Sequence, residues 1–292
     1  MVPVPQVLKV PLLRQLSLVS SRQVRLVNSL PSAKKMLSRT TVPSSPTAPK
    51  TVQYRPSSDP SSLPVIALHY FAVEGRCESS RLAAFYSGLS FDDVRYTRPE
   101  FMSLKTSNSL PFGQFPMAIL PAENVTFPQS ASILRAVGKL SPRRSLYPSS
   151  DIGASGLIDA VLDLDGDAFL GVSVTAYKER FGFDFLNERP DLVAEVRTNL
   201  RDRILPVHLA NLERTITAGE GGGGRWLAGR GEVSVADFAW CPRLKWMKTL
   251  DGIGPDILND FPKLVDLMER FYAIPEVVEY YSLQKRDEDA GM

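Results

Sequence analysis

Cysteine and histidine are scarce in this 292-residue chain: two of the first, Cys77 and Cys241, and two of the second, His69 and His208. So few thiols exclude a disulfide-stapled scaffold, and with so few histidines they exclude a Cys/His metal cluster. A reducing compartment is the default expectation. No uncharged apolar run reaches the roughly 18 residues that a membrane-spanning helix requires. Acidic side chains are missing altogether from residues 1–58, which carry nine basic ones, whereas the rest of the chain has 25 basic against 32 acidic. The formal net charge of +2 therefore hides an acidic body behind a basic tail, and the pI of 8.5 gives no ground for expecting a nucleic-acid partner. What remains is ordinary for a globular protein: 43% hydrophobic and 23% charged residues, in a length suited to two domains.

The basic tail also concentrates proline and serine, with ten of the 23 prolines inside residues 1–64. That composition cannot build a core, so residues 1–62 are expected to be a disordered presequence and linker. Arg-rich, Ser-rich and acid-free composition is the mark of an organelle transit peptide. Residues 7–30 interleave Leu12, Leu13, Leu16, Val19 and Leu26 with Arg14, Arg22 and Arg25, the pattern of a basic amphipathic helix. Mitochondrial import is the expectation, with plastid import or an untargeted cytoplasmic tail as alternatives; Pro3, Pro5 and Pro11 interrupt the first turns.

From residue 63 the punctuation is that of a compact domain. Short strands are expected at 65–70, 91–96, 117–120 and 124–127, with helices at 78–86, closed by Gly88, and at 130–140. Beyond the loop at 141–150 the pattern turns helical almost throughout: 156–178, 192–217, 235–249, 262–272 and 275–281. A mixed unit at 63–143 thus precedes an all-helical unit at 151–285. Ser234 and Asp237 form a capping box, with Val233 and Phe238 as its hydrophobic staple. The glycine run at 219–224 has no Lys-Ser/Thr after it, which makes it a helix connection rather than a phosphate loop.

Six stretches in this order carry a family resemblance. Leu68-His69-Tyr70-Phe71, Glu74-Gly75-Arg76, Leu110-Pro111-Phe112-Gly113-Gln114-Phe115-Pro116 and Pro128-Gln129-Ser130 resemble the thioredoxin-like half of cytosolic glutathione transferases, nearest to the sigma class. Trp226-Leu227-Ala228-Gly229 and Ser234-Val235-Ala236-Asp237-Phe238 resemble the helical half. The resemblance implies an α/β thioredoxin-like N-terminal domain followed by an all-α C-terminal domain. It also implies glutathione as cosubstrate without a metal, a small hydrophobic electrophile as second substrate, and a homodimer. Sigma-type isomerase or peroxidase activity, or a non-catalytic module of the same fold, are the alternatives.

By the same resemblance Tyr70 directs its hydroxyl at the glutathione sulfur. Phe71, Arg76, Gln114, Phe115, Pro116, Gln129 and Ser130 surround the tripeptide, Lys105 meets its glycyl carboxylate, and the Phe115–Pro116 bond is cis. Ser130 opens a helix, whose free N–H groups suit the γ-glutamyl carboxylate. Phe101 departs from the pattern: it stands where sigma-class relatives commonly carry a tryptophan, and it has no N–H to give. Asp167 matches an aspartate that reaches across the dimer to the other subunit's γ-glutamyl amine, although Asp159, Asp163 and Asp165 share the same helix. Tyr177 and Phe181 are the candidate walls for the second substrate, with core packing the alternative for Phe181.

Overall fold

A computed structural model describes residues 37–42, 48–216 and 225–289. The amphipathic pattern expected at 7–30 and the glycine run at 219–224 lie outside the described residues. Among those described, six strands form one sheet: β1 (Leu37–Val42), β2 (Lys50–Pro56), β3 (Ile66–Phe71), β4 (Phe91–Tyr96), β5 (Met117–Leu120) and β6 (Val125–Pro128), in the order β1-β2-β4-β3-β5-β6. β3 and β4 run parallel, which requires a crossover, and helix α1 (Glu78–Ser87) supplies it. It stops where Gly88 takes the left-handed conformation, at φ 70°. β3, flanked on both sides, is buried from Ile66 to Tyr70, and its C-terminal end delivers Tyr70 to the rim of the sheet.

Helix α2 (Arg98–Thr106) follows β4 where no helix was expected from the sequence. Its start is a reciprocal capping box: the Thr97 N–H donates to Glu100 Oε2 at 2.6 Å, and the Glu100 N–H to Thr97 Oγ1 at 3.4 Å. The β5–β6 hairpin leads into α3 (Ser130–Leu140), and the helical half continues with α4 (Ile152–Ala176), α5 (Pro190–Asn199), α6 (Leu205–Arg214), α7 (Val235–Met247), α8 (Pro262–Tyr272) and α9 (Pro275–Asp289). The single helix expected at 192–217 is broken by a π turn at Leu200–Ile204. Pro206 explains the break: it has no N–H for the carbonyl four residues earlier, and the widened turn absorbs the mismatch. Fully buried Trp240 donates its indole N–H to Val161 O at 2.7 Å, tying α7 to α4. The Ser234/Asp237 capping box is present, and the second carboxylate oxygen of Asp237 accepts the Leu227 N–H at 2.9 Å.

The expectation of a disordered tail through residue 62 is corrected. Residues 50–56 are a strand, antiparallel to β4, with Tyr54 opposite Phe91. Val52 and Tyr54 are fully buried, and the Tyr54 ring stacks on Phe91 at 4.4 Å. Its hydroxyl accepts from Gln284 Nε2 at 2.8 Å, which joins the strand to the last helix. Arg55, also buried, donates to Phe91 O at 2.8 Å and pairs with Asp92. Composition misled because it averages over a window, whereas the alternation Val52, Tyr54 is confined to a few residues.

Truncating Tyr54 would empty a fully enclosed aromatic site, so Tyr54→Ala should lower the unfolding free energy by about 3–5 kcal/mol in urea titration. A loss below about 1 kcal/mol would mean that β2 is not part of the core.

Candidate functional site

The site is built outward from the end of β3. Tyr70 is buried, and after it the chain turns through Gly75–Cys77 into α1. Gly75 has φ +47°, and a Cβ there would stand 2.7 Å from Tyr70 Oη, so only glycine lets the turn close over the phenol. The Arg76 N–H donates to Tyr70 Oη at 3.2 Å. That contact uses the oxygen as acceptor and leaves the phenolic proton to be donated elsewhere; among the described residues nothing accepts it. Burial raises the Tyr70 pKa, against the Arg76 N–H, which lowers it, so the phenol stays protonated at neutral pH.

On the other side of the turn lies α3. Gln129, at φ 78°, precedes it, and Ser130 is its first residue, so the helix N-terminus opens toward the same place as Tyr70. Strained backbone of this kind persists only where its surroundings hold it. The Phe115–Pro116 bond is cis, as expected from the resemblance.

Two adjoining cavities result. The smaller, about 120 Å³, is lined by Gln114, Phe115, Pro116, Gln129 and Ser130 from the sheet half and by Arg180 and Phe181 from the turn after α4. Arg180 bonds Gln114 across its mouth. The larger, about 230 Å³, lies between Tyr70 with the Gly75 turn and the helices α4 and α7, where Phe169, Val172, Arg243 and Trp246 form the far wall. Arg76, Ser130, Ser173 and Tyr177 line both. The Arg76 guanidinium has only distant partners, Ser173 Oγ at 3.5 Å and Asp165 at 4.0 Å. Its pKa is lowered by burial first and by the nearby Arg243 charge second, with Asp165 acting in the opposite sense.

Of the residues expected at the site, Tyr70, Arg76, Gln114, Phe115, Pro116, Gln129, Ser130 and Tyr177 are thus brought together. Four are not where they were expected. Phe101 and Phe71 line neither cavity; their rings pack on each other at 5.1 Å and on Phe115 at 5.1 and 5.5 Å, an aromatic cluster behind the Pro116 turn. Lys105 is exposed at the end of α2, away from both cavities, because that helix turns its last residues to solvent. Asp167 is exposed on α4, and the role that the resemblance implies for it is toward a second subunit; Asp165, two residues earlier, lines the larger cavity. Phe181 is 40% exposed rather than in the core, and it walls the smaller cavity instead of the larger. Asp159 and Asp163 both pair with Arg135, at 2.5 and 2.8 Å.

The sequence reading missed Ser173, Arg243 and Trp246, and named Asp165 only as sharing a helix with Asp167. Nothing in their spacing announces a cavity, since residues from α4 and α7 meet only after the chain folds; Arg243 next to an apolar helix face was the one available cue. The remaining titratable groups near the turn are structural. His69 faces away from the cavities with Nδ1 2.9 Å from Tyr96 Oη, and burial pushes its pKa down to about 4. Buried Cys77 is pushed up to about 12, which leaves it an unreactive thiol. No group of three or more potential metal ligands exists among the described residues.

A thioredoxin-like sheet unit with a helical unit closing over its β3 end is the architecture of the glutathione S-transferases, and the comparisons agree. Residues 182–284 match the family model described as Glutathione S-transferase, C-terminal domain. The hematopoietic prostaglandin D synthase of Rattus norvegicus is 29% identical over 217 residues, 74% of this chain and 94% of that protein. A glutathione S-transferase of Anopheles gambiae is 27% identical over 216 residues, 71% of this chain and 91% of that protein. The solved prostaglandin synthase D of Nilaparvata lugens has the same fold, with a TM-score of 0.61 at 22% identity, over 75% of this chain and 98% of that one. The chain has the glutathione S-transferase fold, and residues 182–284 carry that family's C-terminal domain pattern.

The Gly75 contact is testable by stability alone. Gly75→Ala should cost about 1–3 kcal/mol in urea unfolding, from the positive φ together with the clash on the phenol. In a Tyr70→Ala background the clash vanishes and the penalty should shrink by about 1 kcal/mol or more. Strict additivity of the two substitutions would show that the turn does not press on Tyr70.

Proposed function

We propose that this protein is a glutathione transferase that adds the thiolate of glutathione to a small hydrophobic electrophile. The observation that carries the reading is the Tyr70 hydroxyl: its oxygen accepts the Arg76 N–H, its proton is unclaimed among the described residues, and it lines the larger cavity beside the helix N-terminus at Ser130. On this reading the smaller cavity takes the tripeptide. Gln129 and Ser130 meet its γ-glutamyl end, and the backbone of Phe115 pairs with its cysteinyl part like an added strand. The larger cavity takes the electrophile.

The thiolate, not the thiol, attacks, and at a reference pKa of about 8.5 only a few per cent of a free thiol is ionised at neutral pH. A charge-assisted hydrogen bond from Tyr70, about 1.5–3 kcal/mol, corresponds to roughly one to two pKa units and makes the thiolate a major species. A thiolate stabilised in this way is also less nucleophilic, with a Brønsted coefficient near 0.4–0.5, so ionisation gives only a few-fold net gain. Most of the acceleration then comes from holding the two reactants side by side in adjoining cavities.

Sigma-class character, assembly as a homodimer and mitochondrial residence belong to the same proposal, the last supported by the acid-free, arginine-bearing first 58 residues. A second reading within the same chemistry, a glutathione-dependent isomerase, is favoured by the relatives named hematopoietic prostaglandin D synthase. It needs the same thiolate and differs only in whether glutathione is released unchanged.

Retention on immobilised glutathione and conjugation of an aryl halide are expected of the wild type. Tyr70→Phe should lower kcat/KM a few-fold at pH 6.5, and shift the rising limb of its pH profile up by about one to two units. An unshifted profile in Tyr70→Phe would remove the phenol from the mechanism, and failure of the wild type to bind glutathione would remove the activity. For residence, the protein isolated from cells should be several kilodaltons lighter than the full chain; recovery with Met1 intact would argue against import.

A further inference from the structure

The far wall of the larger cavity holds a cation that an uncharged electrophile would not need. Arg243 on α7 stacks on Phe169 at 4.8 Å and on Trp246 at 5.2 Å, and its Nε and one Nη bond both oxygens of Asp165 at 2.7 and 3.1 Å. Two aromatic faces and a two-point ion pair fix the guanidinium in place, while its remaining N–H groups are not consumed by that pairing. Burying such a group in an apolar wall is costly unless something partners it.

The charges around the cavity do not cancel. Glu74 is bonded to Lys245 at 3.1 Å, Glu78 lies against Arg81 at 3.6 Å, and Asp165 is taken by Arg243. Arg76 is left over, with its nearest carboxylate 4.0 Å away, and the Asp165 carboxylate stands between the two guanidinium groups. Two cations thus share one anion along the line Tyr70, Arg76, Asp165, Arg243. Arg76 borders both cavities and serves the glutathione side, but Arg243, Phe169 and Trp246 border only the larger.

We propose that Arg243 is a specificity residue that selects electrophiles bearing a carboxylate on an apolar body, the carboxylate seated on Arg243 and the apolar part along Phe169, Val172 and Trp246 toward Tyr70. This rests on the transferase reading above and narrows its substrate class. The reaction is unchanged in kind: the sulfur–carbon bond forms at the electrophilic carbon of an enone, the carbon–carbon π bond breaks, and the α-carbon takes a proton from water, with no change of oxidation state supplied from outside.

The test uses one electrophile with and without its charge: ethacrynate, an aryl enone carrying a carboxylate, and its methyl ester, with glutathione and the full-length protein. The readout is the ratio of kcat/KM for acid over ester, in which the amount of folded enzyme cancels. The wild type should prefer the acid by about tenfold. Arg243→Gln should abolish or reverse that preference, Arg243→Lys should restore part of it, and Asp165→Asn, which frees the guanidinium, should increase it. A bridge that merely ties α4 to α7 would make Arg243→Gln and Asp165→Asn act alike, and that result would overturn the proposal. A wild-type enzyme that conjugates the ester as well as the acid would also overturn it while leaving the transferase reading intact. Consumption of neither compound, or of any aryl halide, would defeat the transferase reading first.

Discussion

One buried guanidinium holds the site together from behind. Arg81, on α1, is almost wholly enclosed, and it donates from Nε to Asp93 on β4 at 2.8 Å, from Nη1 to Val73 O at 2.7 Å and from Nη2 to Phe71 O at 3.0 Å. The last two are carbonyls of the segment that leaves β3. The crossover helix, the neighbouring strand and the loop are thereby locked to a single centre, and the loop continues into the turn whose Gly75 and Arg76 embrace the phenol. Such a centre is tolerable in the interior because its charges are largely paired. Asp93 also bonds Arg95 at 2.7 Å, and Glu78 sits beside Arg81, its own pKa pushed up by burial to about 7, so two cations face one ionised carboxylate and a second that is partly protonated at neutral pH. Burial alone would raise the Asp93 pKa, yet the two arginines bring it below the ordinary carboxylate range. Removing any one member would strand a charge where water cannot reach it.

Because Arg81 fixes the turn rigidly to the sheet, the variable part of the cavity lies on the helical side. The sheet unit contributes backbone geometry: a strand end, a positive φ at Gly75 and another at Gln129, a helix N-terminus at Ser130. The helical unit contributes side chains projected from α4 and α7, and these decide what the larger cavity accepts. A scaffold divided in this way can keep one cosubstrate while the wall opposite changes. Arg243, Trp246 and Tyr177 are all on that wall.

This division also explains what could be read from the sequence. Strands β4 and β5, helices α3 and α8, and the stop of α1 at Gly88 were legible residue by residue, since alternation, helical spacing and a left-handed cap act locally. Helix α2 was legible in principle from Thr97 and Glu100 three residues apart, a signal overlooked in favour of the surrounding loop character. β2 hid in a proline-rich segment. At the site, Tyr70, Gln129 and Ser130 were recoverable through the family resemblance of the short stretches that hold them. Phe101, Lys105 and Phe181 were misplaced because their roles depend on how a helix is rotated or where it ends. Arg243 had no local signal, since its partner Asp165 is 78 residues away.

Burial sets the two acids of the proposed reaction against each other. Enclosing Tyr70 keeps its proton on and so preserves a donor, but the same low-dielectric surroundings disfavour an ionised sulfur beside it. The Arg76 N–H answers part of this conflict: by donating to the phenol oxygen it polarises the O–H bond and makes the proton a better donor without removing it. The Arg76 guanidinium answers the rest, since a cation whose nearest protein carboxylate is 4.0 Å away is free to face a developing thiolate. In the proposed reaction one residue thus acts on the sulfur twice, through its backbone by way of Tyr70 and through its side chain by charge. Both actions depend on a turn that only glycine at position 75 permits and only the enclosed Arg81 holds in register.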